Sequence, residues 1–119
     1  MSLGDNKTIY KIFRTAEWSA AEGLGAFAGS PDDIRDGFIH FSTAEQLRGT
    51  LEKYFVDEDV IILASFDAEG FGDDLKWEVS RAGMKFPHLY VDLSLEAALQ
   101  VTRLTRDSSG GFVLPSDLV

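Results

Sequence analysis

The stretch Asp59-Val60-Ile61-Ile62-Leu63-Ala64-Ser65-Phe66 decides the fold, because it is a nearly unbroken apolar run of the length of one strand. A strand without polar alternation is typically covered on both faces, so we predict that this one is central in its sheet. Thr8–Arg14 is rich in residues that favour strands, and residues 99–104 alternate between apolar and polar side chains. Both segments predict further strands.

The remaining segments predict a mixture of short strands and helices. Capping patterns place Thr15 and Ser42 at the N-caps of two helices, the second continuing through apolar residues at helical spacing. The predicted helices are residues 15–22, a longer helix that starts after Ser42, and one turn at 94–98; the further strands are 37–41, Leu75–Val79 and 90–93; and residues 30–33 and 83–87 are predicted turns or loops. This pattern predicts one α+β domain over residues 8–119, with two main helices, about five short strands and a flexible segment at residues 1–7.

The composition excludes several classes of function. The 119 residues contain 20 acidic and 11 basic side chains, for a net charge of −9, which disfavours non-specific nucleic-acid binding and docking on anionic membranes. The absence of cysteine excludes disulfides and thiol nucleophiles, and two histidines alone predict no metal site. No apolar run approaches the ~18 residues of a spanning helix, and no signal peptide is visible, so we expect a cytoplasmic protein.

The segment from Gly37 to Thr43 is the first candidate site. His40 lies in a short apolar strand directly before the predicted helix N-terminus. There, the hydroxyls of Ser42 and Thr43 and the free N–H groups of the first turn favour an anion or a ribose phosphate. A histidine beside them can hydrogen-bond a ribose hydroxyl or transfer a proton near neutral pH. The alternative is a core histidine next to an ordinary helix cap.

Glu78 is the second candidate, on a strand whose residues alternate. If it points into a cleft, apolar neighbours favour an acid–base role, and a carboxylate can also bind a ribose hydroxyl. If Trp77 and Val79 are buried instead, Glu78 is a solvated strand carboxylate.

The third candidate is His88 within Phe86-Pro87-His88-Leu89-Tyr90. Pro87 restricts the backbone, so we predict that a stiff turn presents His88, with Tyr90 as an aromatic wall for a flat ring. The alternative is a structural histidine. The pairs Asp32-Asp33 and Asp73-Asp74 lack the spacing of a calcium loop and are interpreted as solvated turns. The chain carries no dinucleotide-fold, P-loop or nucleophile-elbow motif.

Taken together, these motifs resemble a known family. The resemblance covers most of the chain, from about residue 8 to 104, and depends on blocks that occur in a fixed order: Tyr10, Glu17-Trp18, the residues from Gly37 to Ala44, Gln46, Tyr54-Phe55, Lys76-Trp77-Glu78 and Phe86-Pro87-His88-Leu89-Tyr90. They are similar to the small bacterial family called domain of unknown function nine-five-two. That family is distantly similar to ADP-ribosyltransferases and RNA 2'-phosphotransferases.

The resemblance implies an ADP-ribosyltransferase-like fold, in which a mixed, split β-sheet surrounds an NAD-binding cleft. It places His40 where that superfamily stacks an aromatic residue on nicotinamide, and it makes Glu78 the candidate for the acid that activates a ribose hydroxyl. Family members often have a histidine after the first-strand Ile-Tyr, whereas this chain has Lys11. A lysine can bind a phosphate or a hydroxyl but lacks the paired donor and acceptor of a neutral imidazole.

Three functional hypotheses follow. The first is an ADP-ribosyltransferase-like enzyme that binds NAD or another nucleotide and acts at a ribose. Its catalytic residues are His40, Glu78 and His88, and its ligand-binding residues are Lys11, Ser42, Thr43 and Tyr90. The second is a phosphoesterase that uses both histidines as an acid–base pair, which requires both imidazoles to face one phosphate. The third is a non-enzymatic binding module with a degenerate site.

Overall fold

The predicted central strand is central in the fold. The computed structural model describes residues 7–80 and 83–118, apart from the side chain of Asp117. Strand β4 (Val60–Asp67) lies between β1 (Thr8–Arg14) and β8 (Gln100–Thr105) in a three-stranded antiparallel sheet. Apolar clusters pack on both of its faces, with Ile61 and Leu63 on one side and Ala64 and Phe66 on the other. Burial on both faces explains why the run shows no polar alternation.

A second three-stranded sheet carries the two histidines. Its central strand is β6 (Lys85–Leu89), which lies between β3 (Ile39–His40) and β5 (Leu75–Val79). A pair of two-residue strands, β2 (Ala26–Phe27) and β7 (Leu93–Ser94), forms a small separate sheet. Every pairing between the described strands is antiparallel, so the expected split sheet is present but the expected mixture of strand directions is wrong.

The chain after β3 connects the two large sheets. His40 pairs with His88 of β6, and two residues later the Ser42 backbone exchanges two hydrogen bonds with Tyr10 of β1 (2.8 and 2.9 Å). This crossing brings the edge of β1 next to β3 and β6. Residues from both sheets are thereby placed around one site.

The described α-helices have N-caps other than those predicted. They are α1 (Thr15–Leu24), α2 (Pro31–Asp36) and α3 (Leu47–Tyr54), with short 3₁₀ turns at Ala68–Asp74, Leu95–Ala97 and Ser116–Leu118. The N-cap of α1 is Arg14 rather than Thr15, and the Arg14 N–H donates to the Glu17 carboxylate (2.9 Å). The predicted turn at residues 30–33 is instead the start of α2. Ser30 caps that helix and accepts a hydrogen bond from the Asp33 N–H (3.2 Å).

The predicted loop at residues 83–87 is largely strand β6, so the stiff turn expected to present His88 is wrong. Pro87 fits into a central strand because its backbone faces the last residues of the β3 segment, where its C=O accepts from the Phe41 N–H (3.0 Å). Because the backbone of Pro87 faces away from β5, the missing N–H of proline removes no hydrogen bond between β6 and β5. The predicted flexible segment, residues 1–7, lies outside the described residues except for Lys7. The Lys7 carbonyl accepts a hydrogen bond from the Ala68 N–H (2.7 Å).

Gly37 ends α2 in a left-handed conformation (φ 87°), and a Cβ there would meet no neighbouring atom within 4 Å. We expect Gly37→Ala to lower the free energy of unfolding by about 1 kcal/mol, through backbone strain alone. Gly23 is the matched control, because it lies inside α1 with equally open space. Gly23→Ala should raise stability by about 0.5–1 kcal/mol in urea denaturation. Equal effects at the two positions would contradict this account.

Candidate functional site

Both histidines line one cavity. Its volume is about 170 Å³, and residues of β1, α1, α2, β3, α3 and β6 contribute to its walls. Four of the seven predicted site residues line this cavity, which we call the histidine cavity: Lys11, His40, Ser42 and His88. The two imidazole rings lie edge to face with their centroids 5.5 Å apart. Both imidazoles therefore belong to the wall of one cavity.

His88 presents an unpaired nitrogen. Its side chain is 3% exposed, its Nδ1 lies 2.8 Å from Oε1 of Glu78, and its buried Nε2 has no hydrogen-bond partner in the described part of the chain. Phe38 stacks on the ring at a centroid distance of 3.9 Å. Burial lowers the pKa of His88, and the hydrogen bond to Glu78 offsets only part of that effect. The neutral ring, with a lone pair on Nε2, is thus the favoured form near pH 7.

His40 is held by two carboxylates. Its Nδ1 lies 2.6 Å from Oδ1 of Asp33, and its Nε2 lies 3.0 Å from Oδ2 of Asp36. The contact with Asp33 is a hydrogen bond, and the contact with Asp36 is a close approach of the second ring nitrogen to a carboxylate oxygen. The orientation of His40 is therefore fixed from two sides.

Asp33 is the hub of this arrangement. It is 2% exposed, and besides the ring of His40 its carboxylate accepts from Lys11 Nζ (3.0 Å) and from the backbone N–H groups of Ser30 (2.9 Å) and His40 (3.1 Å). Burial alone would raise the pKa of this carboxyl. The hydrogen bond from His40 and the charge of Lys11 outweigh burial and hold the pKa far below its usual range.

Lys11 is buried beside Asp33, and burial lowers its pKa, although the nearby carboxylate opposes that effect. The sequence predicted that the Lys11 ammonium binds a ribose or a phosphate. In the structure this ammonium forms an ion pair with Asp33 (3.0 Å). A phosphate would have to compete with a buried carboxylate for this lysine. Lys11 therefore holds Asp33 in place at the wall of the cavity.

Glu78 and Tyr90 lie behind His88 and do not line the histidine cavity. Oε1 of Glu78 accepts from both the Tyr90 hydroxyl (2.7 Å) and His88 Nδ1. The bond from Tyr90, and then that from His88, lower the pKa of Glu78, whose side chain is 40% exposed. Val79 is exposed and Trp77 only half-buried, and Glu78 is itself partly solvated while it accepts hydrogen bonds from His88 and Tyr90.

The sequence predicted an anion-binding helix N-terminus at Ser42 and Thr43. This prediction is wrong, because no helix begins there. Helix α3 begins at Leu47, and Gln46 rather than Ser42 precedes it. Ser42 Oγ lies in the cavity wall 3.1 Å from Oγ1 of Thr50, and the Thr43 N–H donates to the side chain of Gln46 (3.0 Å). Thr43 lines a different, more open groove beside Trp77.

Comparison with known proteins identifies the family of this chain. Residues 12–101 match the family model described as Protein of unknown function (DUF952). The chain belongs to this family. The crystal structure of protein CC0527 from Caulobacter crescentus is 43% identical, covers 93% of this chain and 97% of that chain, and superposes with a TM-score of 0.87. The solution NMR structure of the same protein gives 44% identity, 88% and 90% coverage and a TM-score of 0.79. A comparison with curated proteins gives no match.

This member of the DUF952 family has a site residue that sequence reasoning missed. Asp33 was interpreted as part of a solvated turn, yet it is the most connected carboxylate of the histidine cavity. The stretch Ser30-Pro31-Asp32-Asp33 contains the pattern that could have located this residue. A cap residue, a proline at the first helical position and an acid at the third predict a short helix. Within the described residues, no helix is long and apolar enough to cross a membrane.

Proposed function

We propose that this protein is an ADP-ribosyltransferase-like enzyme that binds NAD and acts at its ribose, with the histidine cavity as the ribose site. The observations that carry the proposal are the buried, unpartnered Nε2 of His88 and the position of His88 and His40 in the wall of one cavity. A buried acceptor without a partner is costly unless a ligand supplies the donor. A ribose hydroxyl is such a donor.

The charges in the cavity wall suit a sugar that becomes positively charged. Apart from the two histidines, the described residues of the wall include four carboxylates and three cations: Glu17, Asp32, Asp33 and Asp36, and Lys11, Arg14 and Arg35. When the bond between ribose and nicotinamide breaks, positive charge develops on the ribose, and fixed carboxylates nearby stabilise it.

Phosphate groups of the same ligand can be bound by the two guanidinium groups of the wall. The side chain of Arg35 is 67% exposed and pairs with Asp32 (3.0 Å) and Asp36 (3.0 Å), and Arg14 is about one-third exposed. Exposed ion pairs of this kind are worth little, so a phosphate can exchange for one carboxylate at small cost. Arginine also matches the geometry of phosphate oxygens.

The proposed reaction uses His88 as the general base. The bond between C1' of the ribose and the nicotinamide nitrogen breaks, and its electron pair leaves with nicotinamide. The oxygen of a hydroxyl-bearing acceptor or of water forms the new bond to C1'. The proton of that oxygen passes to Nε2 of His88. His40, fixed by its two carboxylates, supports the sugar from the other wall.

The test combines binding and turnover. NAD and ADP-ribose at millimolar concentration are expected to raise the melting temperature, and NAD incubated with the protein should release nicotinamide, which chromatography detects. His40→Ala should abolish the ligand-induced shift, because it removes one wall of the ribose site. Glu69→Gln, in the other groove, is the matched control and should retain the full shift. The melting temperature without ligand shows whether each variant is folded.

Each outcome has a distinct meaning. No shift with either nucleotide would refute the proposal, and a shift without nicotinamide release would favour a binding module without turnover. The common cavity of the two imidazoles also keeps a phosphoesterase as a second candidate, so the assay includes 2',3'-cyclic AMP. Its hydrolysis without release of nicotinamide from NAD would favour the phosphoesterase.

A further inference from the structure

We infer that Glu78 is a positioning residue that fixes the tautomer of His88, with Tyr90 holding the Glu78 carboxylate, so that Nε2 presents a lone pair to the histidine cavity. The inference rests on the proposed function in one respect, since it takes His88 as the group that accepts the proton. It differs from the sequence prediction, which placed Glu78 on the substrate itself.

Strand pairing explains why Glu78 reaches His88. In the register of β5 with β6, Lys76 lies opposite His88 and Glu78 lies opposite Phe86. Glu78 and His88 are therefore diagonal neighbours on one face of the sheet, a separation that long side chains can span. The resulting contact joins Oε1 of Glu78 to Nδ1 of His88 at 2.8 Å.

The tautomer follows from the chemistry of the two partners. An ionised carboxylate can only accept, so Nδ1 must carry the ring proton and donate it to Glu78. In the neutral ring, Nε2 is then the acceptor, and it is the nitrogen that has no partner in the described residues. A hydrogen bond to a charged acceptor favours one tautomer over the other by about tenfold or more.

Tyr90 completes the arrangement by restraining the acid. Its hydroxyl donates to the same oxygen, Oε1, at 2.7 Å. Two donors on one oxygen fix the rotation of a carboxylate that is otherwise 40% exposed. Tyr90, which the sequence predicted as an aromatic wall, instead lies outside the histidine cavity and contributes this hydrogen bond.

The experiment reads the tautomer directly, without substrate. Two-bond ¹H–¹⁵N correlation spectra of the labelled protein near pH 7.5 distinguish a protonated from an unprotonated nitrogen in the His88 ring. The wild type should show Nδ1 protonated in more than about nine-tenths of the molecules. Glu78→Leu should give a mixture of the two tautomers. Tyr90→Phe, the matched variant that keeps the carboxylate, should retain the wild-type tautomer.

The outcomes separate this inference from the proposed function. A wild-type ring protonated on Nε2, or an unchanged tautomer in Glu78→Leu, would overturn the positioning role. If Glu78→Leu changes the tautomer but the wild type releases no nicotinamide, the positioning role stands and the proposed function fails. Where nicotinamide is released, Glu78→Leu should lower kcat while KM for NAD changes little, because Glu78 does not line the cavity.

Discussion

Asp33→Asn is expected to lower the free energy of unfolding by about 3–5 kcal/mol, the cost of breaking a buried ion pair by removing one partner. The ammonium of Lys11, whose side chain is 7% exposed, would lose the only carboxylate that the described residues place in an ion pair with it. The new amide group would also direct N–H groups at donors, either Lys11 and the Ser30 N–H or the groups of His40. Urea denaturation at pH 7 measures the loss.

Two comparisons make this result specific. Asp36→Asn removes a carboxylate that also contacts His40 but is 34% exposed, so it should cost much less than Asp33→Asn. In a Lys11→Met background, Asp33→Asn should cost clearly less, because no buried ammonium is left unpaired. A loss below about 1 kcal/mol for the single Asp33 variant would refute the role of Asp33 as a hub.

The contribution of Asp33 to the free energy of unfolding should depend on pH in one direction only. The folded-state pKa of Asp33 lies well below the unfolded value of about 3.9, so its contribution is fully present at higher pH. The stability difference between the wild type and Asp33→Asn should therefore stay nearly constant between pH 8 and 5. It should shrink only as the pH falls below about 4, towards the folded-state pKa. A difference that vanishes between pH 7 and 5 would contradict this assignment.

Local patterns were enough to predict the strands that build the larger sheet. Strand β1 has the predicted bounds, β4 differs by one residue at each end, and β8 also begins and ends one residue later than predicted. These segments are long, and their apolar content reports burial on one face or both. Strand β5, which also has the predicted bounds, was predicted from the alternation of its residues.

The site was harder to predict, because its geometry depends on contacts between distant segments. The capping-box spacing of Ser42 and Glu45 matched a helix start, but Ser42 pairs instead with Tyr10 in the neighbouring sheet, and the helix begins later. Pro87 indicated a loop, because the sequence does not show that its missing N–H faces a strand end. Such tertiary contacts override local preference.

The sequence predicted only in part which candidate catalytic residues lie together. His40 and His88 were predicted to share a hollow, and they line one cavity. Glu78 was expected in the same cavity. Alternation along a strand predicts on which face of the sheet a side chain lies, but it does not predict which side chain from the neighbouring strand packs against it. His88 occupies that space, because the antiparallel register places it diagonally between Glu78 and the cavity.

Under the proposed function, His88→Gln is expected to reduce the rate of nicotinamide release from NAD by about 10²–10⁴-fold, the usual contribution of a general base. Glutamine can still donate to Glu78 and fill much of the imidazole space, but it cannot take up a proton at the position of Nε2. The melting temperature of the variant shows that it is folded, and Lys85→Gln, which lines the other groove, is the control that should keep the wild-type rate.

The pH profile shows whether His88 acts as a base or only as a wall of the cavity. Burial, opposed in part by Glu78, lowers the pKa of His88 below its ordinary value of 6.5. A base must be unprotonated, so wild-type kcat should hold at pH 7 and fall as the pH drops through that lowered pKa. The residual rate of His88→Gln should lack this acidic decline. A variant that keeps both the rate and the decline would remove His88 from the chemistry, because a group with no titrating nitrogen cannot produce either.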